Sequence, residues 1–232
     1  ASLECNNEEP IIGYSEPIDS RELKQRVFGS FSSQNRAVTA EDYQSLAYSM
    51  PPRFGAIKKV NVMRDADSNK RNLNLYILSE DHNGKYMEPS VTLKNNVKTW
   101  LSSYKMVNDT IDILDARVVN IGIEFNAIAD VNSNKFHVLN RAKQNLVNDF
   151  ADLNFDLGEP FRVSDILRTL KNTEGLLDVT SVRIFRRSGG IYSTFSYDIE
   201  GNRSPDGRLI MIPDFAAFEI KFPNSDIIGT IT

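Results

Sequence analysis

The sequence predicts an α+β protein built from two small units in tandem, β-β-α-β and then β-α-α-β. A helical lead-in precedes them and a β segment follows. Three observations carry this. Apolar residues alternate every second position in several short runs, and they recur every third or fourth position in runs between those. Helix caps and turn residues stand where the period changes. The chain has 232 residues, of which 41% are hydrophobic and 25% charged, as in a globular protein. The expected division is 1–36 lead-in, 37–115 first unit, 116–190 second unit and 191–232 C-terminal β segment.

Residues 1–18 are polar and broken by Pro10, Gly13 and Pro17, which reads as a loose lead-in or the boundary of a piece of a longer protein. Ser20 can cap a short helix over Arg21–Phe28, with Leu23 and Val27 on one face. The next helix start is built more fully. Thr39 is an N-cap residue, and Asp42 three residues later completes a variant capping box. Val38 can staple onto Tyr43. Tyr43, Leu46, Ala47 and Met50 form one stripe, and Pro51-Pro52 ends the helix because proline has no amide hydrogen to donate.

A strand over Ile57–Arg64 and another over Asn72–Ser79 suit a hairpin joined by the polar turn Asp65–Arg71. Asn83-Gly84 marks a further turn. Ser90 caps a helix striped by Leu93, Val97, Trp100, Leu101 and Tyr104, and Ile111 and Ile113 alternate in a strand beyond it. In the second unit, Arg117–Ala129 is a long strand. Val119, Ile121, Ile123, Phe125 and Ala127 share one face, and Asn120, Glu124 and Asn126 give a wet or lightly covered opposite face. Leu139, Ala142, Leu146, Phe150 and Leu153 mark a long amphipathic helix. Ser164 caps a shorter helix with Ile166, Leu167 and Leu170, stopped by Gly175, and Val179–Arg187 is a strand ending at Gly189-Gly190. Tyr192–Tyr197, Arg208–Ile212 and Phe218–Phe222 read as strands with no helix between them. Phe218, Ile220 and Phe222 alternate with Glu219 and Lys221, so one face needs a cover.

Composition narrows the function classes. Lys plus Arg number 27 against 31 Asp plus Glu, a net charge of -4, so no global field draws nucleic acid or an anionic membrane. The single cysteine, Cys5, cannot form an internal disulfide, which suits a reducing compartment. No apolar run reaches the ~20 residues of a membrane-spanning helix, and the first ten residues lack the basic and apolar regions of a signal peptide.

Chemistry is sparse. His82 and His137 have no second histidine or cysteine at zinc-ligand spacing, so no metal site is expected. The serines sit in no Gly-x-Ser-x-Gly elbow, and no catalytic residue is assigned. Asp149 and Asp152, and the series Asp109, Asp112 and Asp115, could pair for a metal or for acid–base work, but their places read as solvated faces and turns. Asp67-Ser68-Asn69 lacks the glycine and terminal glutamate of a calcium loop. No glycine-rich phosphate cradle is present, and no cofactor is expected. Arg183-Ile184-Phe185-Arg186-Arg187 mixes basic and aromatic residues as an RNA-binding sheet does, though without that motif's glycines. It reads better as a charged sheet edge.

The run Arg36, Ala37, Val38, Thr39, Ala40, Glu41, Asp42, Tyr43 closely resembles the signature of the baseplate J-like family of contractile phage tails. The lead-in Glu16–Arg26 is similar to that family's preceding run, with Ile12-Gly13 where the family has Gly-Gly. The element order over residues 13–187 is also similar. The resemblance implies a virion structural protein of the tail baseplate, assembled in the bacterial host cytoplasm and set in a ring around the central hub that widens when the sheath contracts. It implies self-association as a dimer or ring and contact with other baseplate wedge proteins. No enzymatic activity, cofactor, nucleic acid, membrane or small-molecule substrate is implied. Phe215, Phe218, Ile220 and Phe222 are the expected contact residues. Two other readings stay open on the residues alone: a small-ligand-binding regulatory module and a weakly RNA-binding module.

Overall fold

The structure is a computed structural model, and it describes Ser20, Leu23, Lys24, Val27 and residues 36–65, 72–81, 84–151 and 155–231. Ser20, Leu23, Lys24 and Val27 are helical and exposed. The rest of the lead-in, Cys5, most of the Asp65–Arg71 turn, His82, Asp152 and Leu153 lie outside the described residues. The chain divides into two compact units, Ala1–Ala116 and Arg117–Thr232.

In the first unit, helix α1 (Ala40–Tyr48) and a 3-10 turn (Pro52–Phe54) precede β1 (Lys59–Arg64), β2 (Asn72–Glu80), β3 (Tyr86–Met87), α2 (Val91–Ser102) and β4 (Thr110–Asp115). β2 is central. β1 lies antiparallel on one side, with Val60 opposite Ile77 and Val62 opposite Leu75. β4 lies parallel to β2, with Ile111 opposite Leu73 and Ile113 opposite Leu75. The parallel pair needs a crossover, and α2 supplies it. The alternation puts Val60, Val62, Leu75, Ile77 and Ile111 on one face. Tyr43, Leu46 and Ala47 of α1 and Leu93, Val97 and Leu101 of α2 are buried with them in one core. Trp100 Nε1 donates to Leu46 O at 2.8 Å and ties the two helices together.

The second unit runs β5 (Arg117–Ala129), α3 (Lys135–Ala151), β6 (Phe161–Arg162), α4 (Val163–Lys171), β7 (Leu176–Arg186), β8 (Leu209–Ile210), β9 (Ala216–Glu219), the short α5 (Pro223–Asp226) and β10 (Ile227–Ile231). The predicted stripe of β5 is fully buried, with Val119, Ile121, Ile123, Phe125 and Ala127 all at 0% exposure. β7 runs antiparallel along one side of β5. β9 and β10 run parallel along the other, β9 against Arg117–Asn120 and β10 against Ile123–Ala127. Ala142, Leu146 and Phe150 of α3 and Ile166 and Leu170 of α4 cover the stripe.

The α+β class is as predicted, but the C-terminal segment differs from the expectation. It is built into the sheet of β5 and it contains a helix, α5. Tyr192–Tyr197 is not a strand, since its groups bond to side chains and loops instead. Phe218 and Ile220, two of the four expected contact residues, are core residues at 0% and 5% exposure. Their cover is internal: Phe161 and Tyr197 pack edge-on to Phe218, at centroid distances of 6.0 and 6.2 Å. Phe215 is half-buried against the same core, and Phe222 is exposed at 38%. Ser164 is not the cap of α4, which starts a residue earlier, after Arg162, with no side-chain cap. Helix α4 ends at Lys171 with Asn172 as its C-cap, and Gly175, the expected stop, takes φ 84° in the turn into β7.

Gly229 shows how tightly β10 is fitted. A Cβ there would stand 2.3 Å from Phe125 Cζ and 2.9 Å from Leu139 Cδ1, distances that no side chain tolerates. The missing side chain is what lets the Phe125 ring lie under the strand.

Candidate functional site

The signature residues are committed to building α1. Thr39 Oγ1 accepts from Asp42 N at 3.2 Å, and the Asp42 carboxylate accepts from Thr39 N at 2.9 Å and Val38 N at 3.1 Å. This is the predicted capping box, with aspartate reaching one amide further back. Ala37 is fully buried, and its N–H donates to Tyr104 O at 3.0 Å. Tyr43 is fully buried, and its hydroxyl donates to Asp109 Oδ2 at 2.8 Å while accepting from Met106 N at 3.4 Å. Asp109 is itself buried at 2% exposure. The signature therefore clamps the start of α1 to the loop between α2 and β4. Arg36 and Val38 are its exposed members, Val38 at 43%.

The acidic series does not converge. Asp109 faces Tyr43, Asp112 bonds Asn72 at 3.1 Å, and Asp115 pairs with Lys94 at 2.7 Å. Asp149 accepts from Thr169 Oγ1, which links α3 to α4. Among the described residues no three His, Cys, Asp or Glu side chains are grouped to hold a metal. His137 is exposed on the first turn of α3, where Asn134 Oδ1 accepts from Phe136 N at 3.0 Å. That cap was missed in the sequence, although Asn134 is a standard cap residue type. An open depression of about 410 Å³ beside it is lined by Asn134, His137, Asn140, Arg141, Gln144 and Asn148, among others. All its lining residues belong to α3 and the turn before it, so no second element closes it over a ligand.

The densest polar arrangement lies on the outer face of the second sheet, and sequence reading missed it. Asn120 of β5 donates through Nδ2 to Glu219 Oε2 at 2.7 Å, accepts Ser193 N on Oδ1 at 2.7 Å and accepts Arg187 N on its backbone carbonyl at 2.8 Å. Asp226 is fully buried. Its Oδ1 accepts from Tyr192 Oη at 2.7 Å and lies 3.1 Å from Arg187 Nε, and its Oδ2 accepts from Phe222 N at 2.9 Å. Arg187 Nη2 also donates to Ser225 O at 3.0 Å. The Phe185 ring packs against Gly122, where a Cβ would meet it at 2.6 Å, and the Arg187 guanidinium stands 4.9 Å from the ring centroid. Burial demands partners for such groups; Asn120, Tyr192 and both Asp226 oxygens have hydrogen bonds, whereas Arg187 Nε is buried and meets Asp226 as an ion pair without one. The cluster straps residues 187–195 and 219–226 across the first half of β5. The basic run 183–187 is divided accordingly. Ile184 is in the core, Arg186 donates to Phe195 O at 2.9 Å, Arg187 is held by Asp226, and Arg183 alone of the three arginines is exposed.

Two phenols are displaced from their ordinary value of 10.0. The Asp226 carboxylate that Tyr192 bonds, together with burial, raises Tyr192. Burial and then the Asp198 charge raise Tyr197, whose hydroxyl donates to Met211 O. No helix among the described residues is long and apolar enough to cross a membrane.

No protein-family model matches this chain, and no curated protein matches it. Among solved structures, the chain is similar to one in the electron cryo-microscopy structure of the anti-feeding prophage (AFP) baseplate, 6-fold symmetrised. The identity is 14%, the TM-score is 0.48, and the match covers 87% of this chain and 42% of that one. The chain thus spans less than half the length of the protein it matches there.

Two outcomes follow from this geometry. Tyr43→Phe removes the donor from a buried carboxylate and lowers unfolding free energy by about 1–3 kcal/mol, whereas Val38→Ala at the exposed neighbour changes it by about 0.5 kcal/mol or less. Urea denaturation of both variants measures the difference. The second outcome concerns pH. Raised phenol values mean that folding favours the neutral form. The stabilisation is complete below pH 10.0, the unfolded value, and is lost as pH rises through the higher folded values. Melting midpoints should fall above pH 10.0, and Tyr192→Phe should flatten part of that fall.

Proposed function

We propose that this chain is a non-enzymatic structural subunit of a contractile phage tail baseplate. The observation that carries the reading is the Arg36–Tyr43 run, with its capping residues and its buried tyrosine in the order of the baseplate J-like signature. The finer reading is that it corresponds to the C-terminal part of the large baseplate wedge subunit of T-even-type phages. In that reading it sits in the tail of the virion, in the wedge ring around the hub, and contacts other wedge proteins and further copies of itself. Assembly takes place in the host cytoplasm, and no cofactor is involved.

The physical chemistry of the site supports a mechanical role. Tyr43, Asp109, Asn120, Asp226 and Arg187 each tie one segment of the chain to another. An interaction protein that must keep its shape while neighbours pull on it gains from such ties. Removing one partner of a buried hydrogen-bonded pair costs about 1–3 kcal/mol, more than an exposed ion pair contributes at about 0–1 kcal/mol. The contacts belong on the exposed surface, which removes Phe218 and Ile220 from the set and retains Phe222.

Antibody-labelled electron microscopy of purified tail particles carrying this chain tests the proposal. Label in a ring at the baseplate end is the expected result. Label confined to the sheath or the capsid, or particles that lack the chain, would overturn it.

A further inference from the structure

The solvent side of helix α3 carries uncharged amides in a row. Phe136, Asn140, Gln144 and Asn148 follow one another at four-residue intervals, and all are exposed, Phe136 at 79%. Residues four apart lie along one ridge of a helix, and at 1.5 Å per residue this ridge is about 18 Å long. His137, Arg141 and Asn145 form the ridge beside it, and both ridges line the open depression of about 410 Å³.

Local structure does not call for these residues. Asparagine is a poor helix former, and exposed helix positions are better filled by alanine, glutamate or lysine. Asn145 has an internal use, since its Nδ2 donates to Thr173 Oγ1 at 3.1 Å. Asn140, Gln144 and Asn148 make no side-chain hydrogen bond among the described residues. A departure from local preference that no contact compensates is a mark of a functional position.

The chemistry of the ridge selects its ligand. A carboxamide offers a carbonyl acceptor and two N–H donors and carries no charge. Sugar hydroxyls are likewise uncharged and are donor and acceptor at once, and two adjacent hydroxyls can engage both ends of one amide. The C–H face of a pyranose packs on the electron-rich face of an aromatic ring, and Phe136 supplies such a ring at the start of the row. Other ligands fit less well. The guanidinium of the trough, Arg141, is paired with Glu174 at 2.8 Å, and no lysine lines it, so a phosphate or an acidic polymer finds no free ammonium or guanidinium there. Amide side chains also read DNA bases, but a net charge of -4 provides no field for the phosphates. An apolar helix would meet one apolar side chain, Phe136.

We propose that the Phe136–Asn148 ridge of α3 binds a neutral oligosaccharide. Phe136 stacks on one sugar ring, and the amides of Asn140, Gln144 and Asn148 bond to hydroxyls of the rings that follow. The trough is open along its length, which suits a chain lying in it rather than an enclosed molecule. The site stands independently of the baseplate reading.

Nuclear magnetic resonance titration of the isotope-labelled full chain is the test, with maltohexaose and cellohexaose as neutral probes. The side-chain amide signals of Asn140, Gln144 and Asn148 should shift with at least one of them, saturating with a Kd of about 1 mM. Phe136→Ala and Gln144→Ala should each weaken that binding at least about fivefold. Both put the best helix former on an exposed helix position, so the fold is kept. Phe136→Tyr should retain binding, and Lys143→Ala, outside the trough, should leave it unchanged. Amide signals that stay still with both probes, binding that survives Phe136→Ala and Gln144→Ala, or tighter binding of hexagalacturonate or duplex DNA on the same ridge would overturn the proposal.

Discussion

The apolar stripe of β5 is the constraint on which the second unit depends. Five alternate side chains, Val119 to Ala127, are withdrawn completely from water. A large apolar side chain contributes about 1.5–3 kcal/mol when fully buried, against about 1 kcal/mol for a helix cap. The stripe therefore decides which way the strand faces, and a one-residue slip of register would turn all five outward. Two helices from the middle of the unit and two strands from its end come to this one surface, so residues far apart in sequence share a core. The first unit repeats the principle on a smaller sheet, with β2 as its centre.

Once the cores are set, the polar groups serve as ties. Tyr43 and Asp109 join the start of α1 to a loop more than sixty residues later, and Asn120 joins β5 to Glu219 and Ser193. The buried Asp226 collects Tyr192, Arg187 and the amide of Phe222. A fully buried carboxylate is costly unless its charge is matched and its lone pairs are bonded, and here both conditions are met. In this chain each of these side chains joins one segment to another.

Elements whose signals are local were legible in the sequence. β5 begins and ends where its alternation does, and α2 begins after Ser90, whose hydroxyl accepts from Leu93 N at 3.2 Å. The Thr39–Asp42 box could be read because its atoms lie within one turn. The C-terminal segment could not be read in the same way. Phe218 and Ile220 alternate as a strand should, but the rings that cover Phe218 come from Phe161 and Tyr197, which no local pattern connects to it. For the same reason the face looked vacant when it was the core. The Asp226 cluster was invisible because Tyr192 lies 34 residues before the aspartate, and each member alone is an ordinary surface residue type. The α4 start was misplaced because Ser164 is a good cap residue by type, yet Val163 is drawn into the helix by burial at 6% exposure.

The central claim is that β5 organises everything from residue 117 to 231 into one cooperative body, with the C-terminal strands as full members. Native-state hydrogen exchange measures this directly. The amides that bond β5 to β7 and β5 to β9 should exchange with one common free energy, equal to that of global unfolding of the unit. If the β9 amides opened at a much lower free energy while β5 and β7 stayed protected, the C-terminal segment would be a separable addition and the claim would fail.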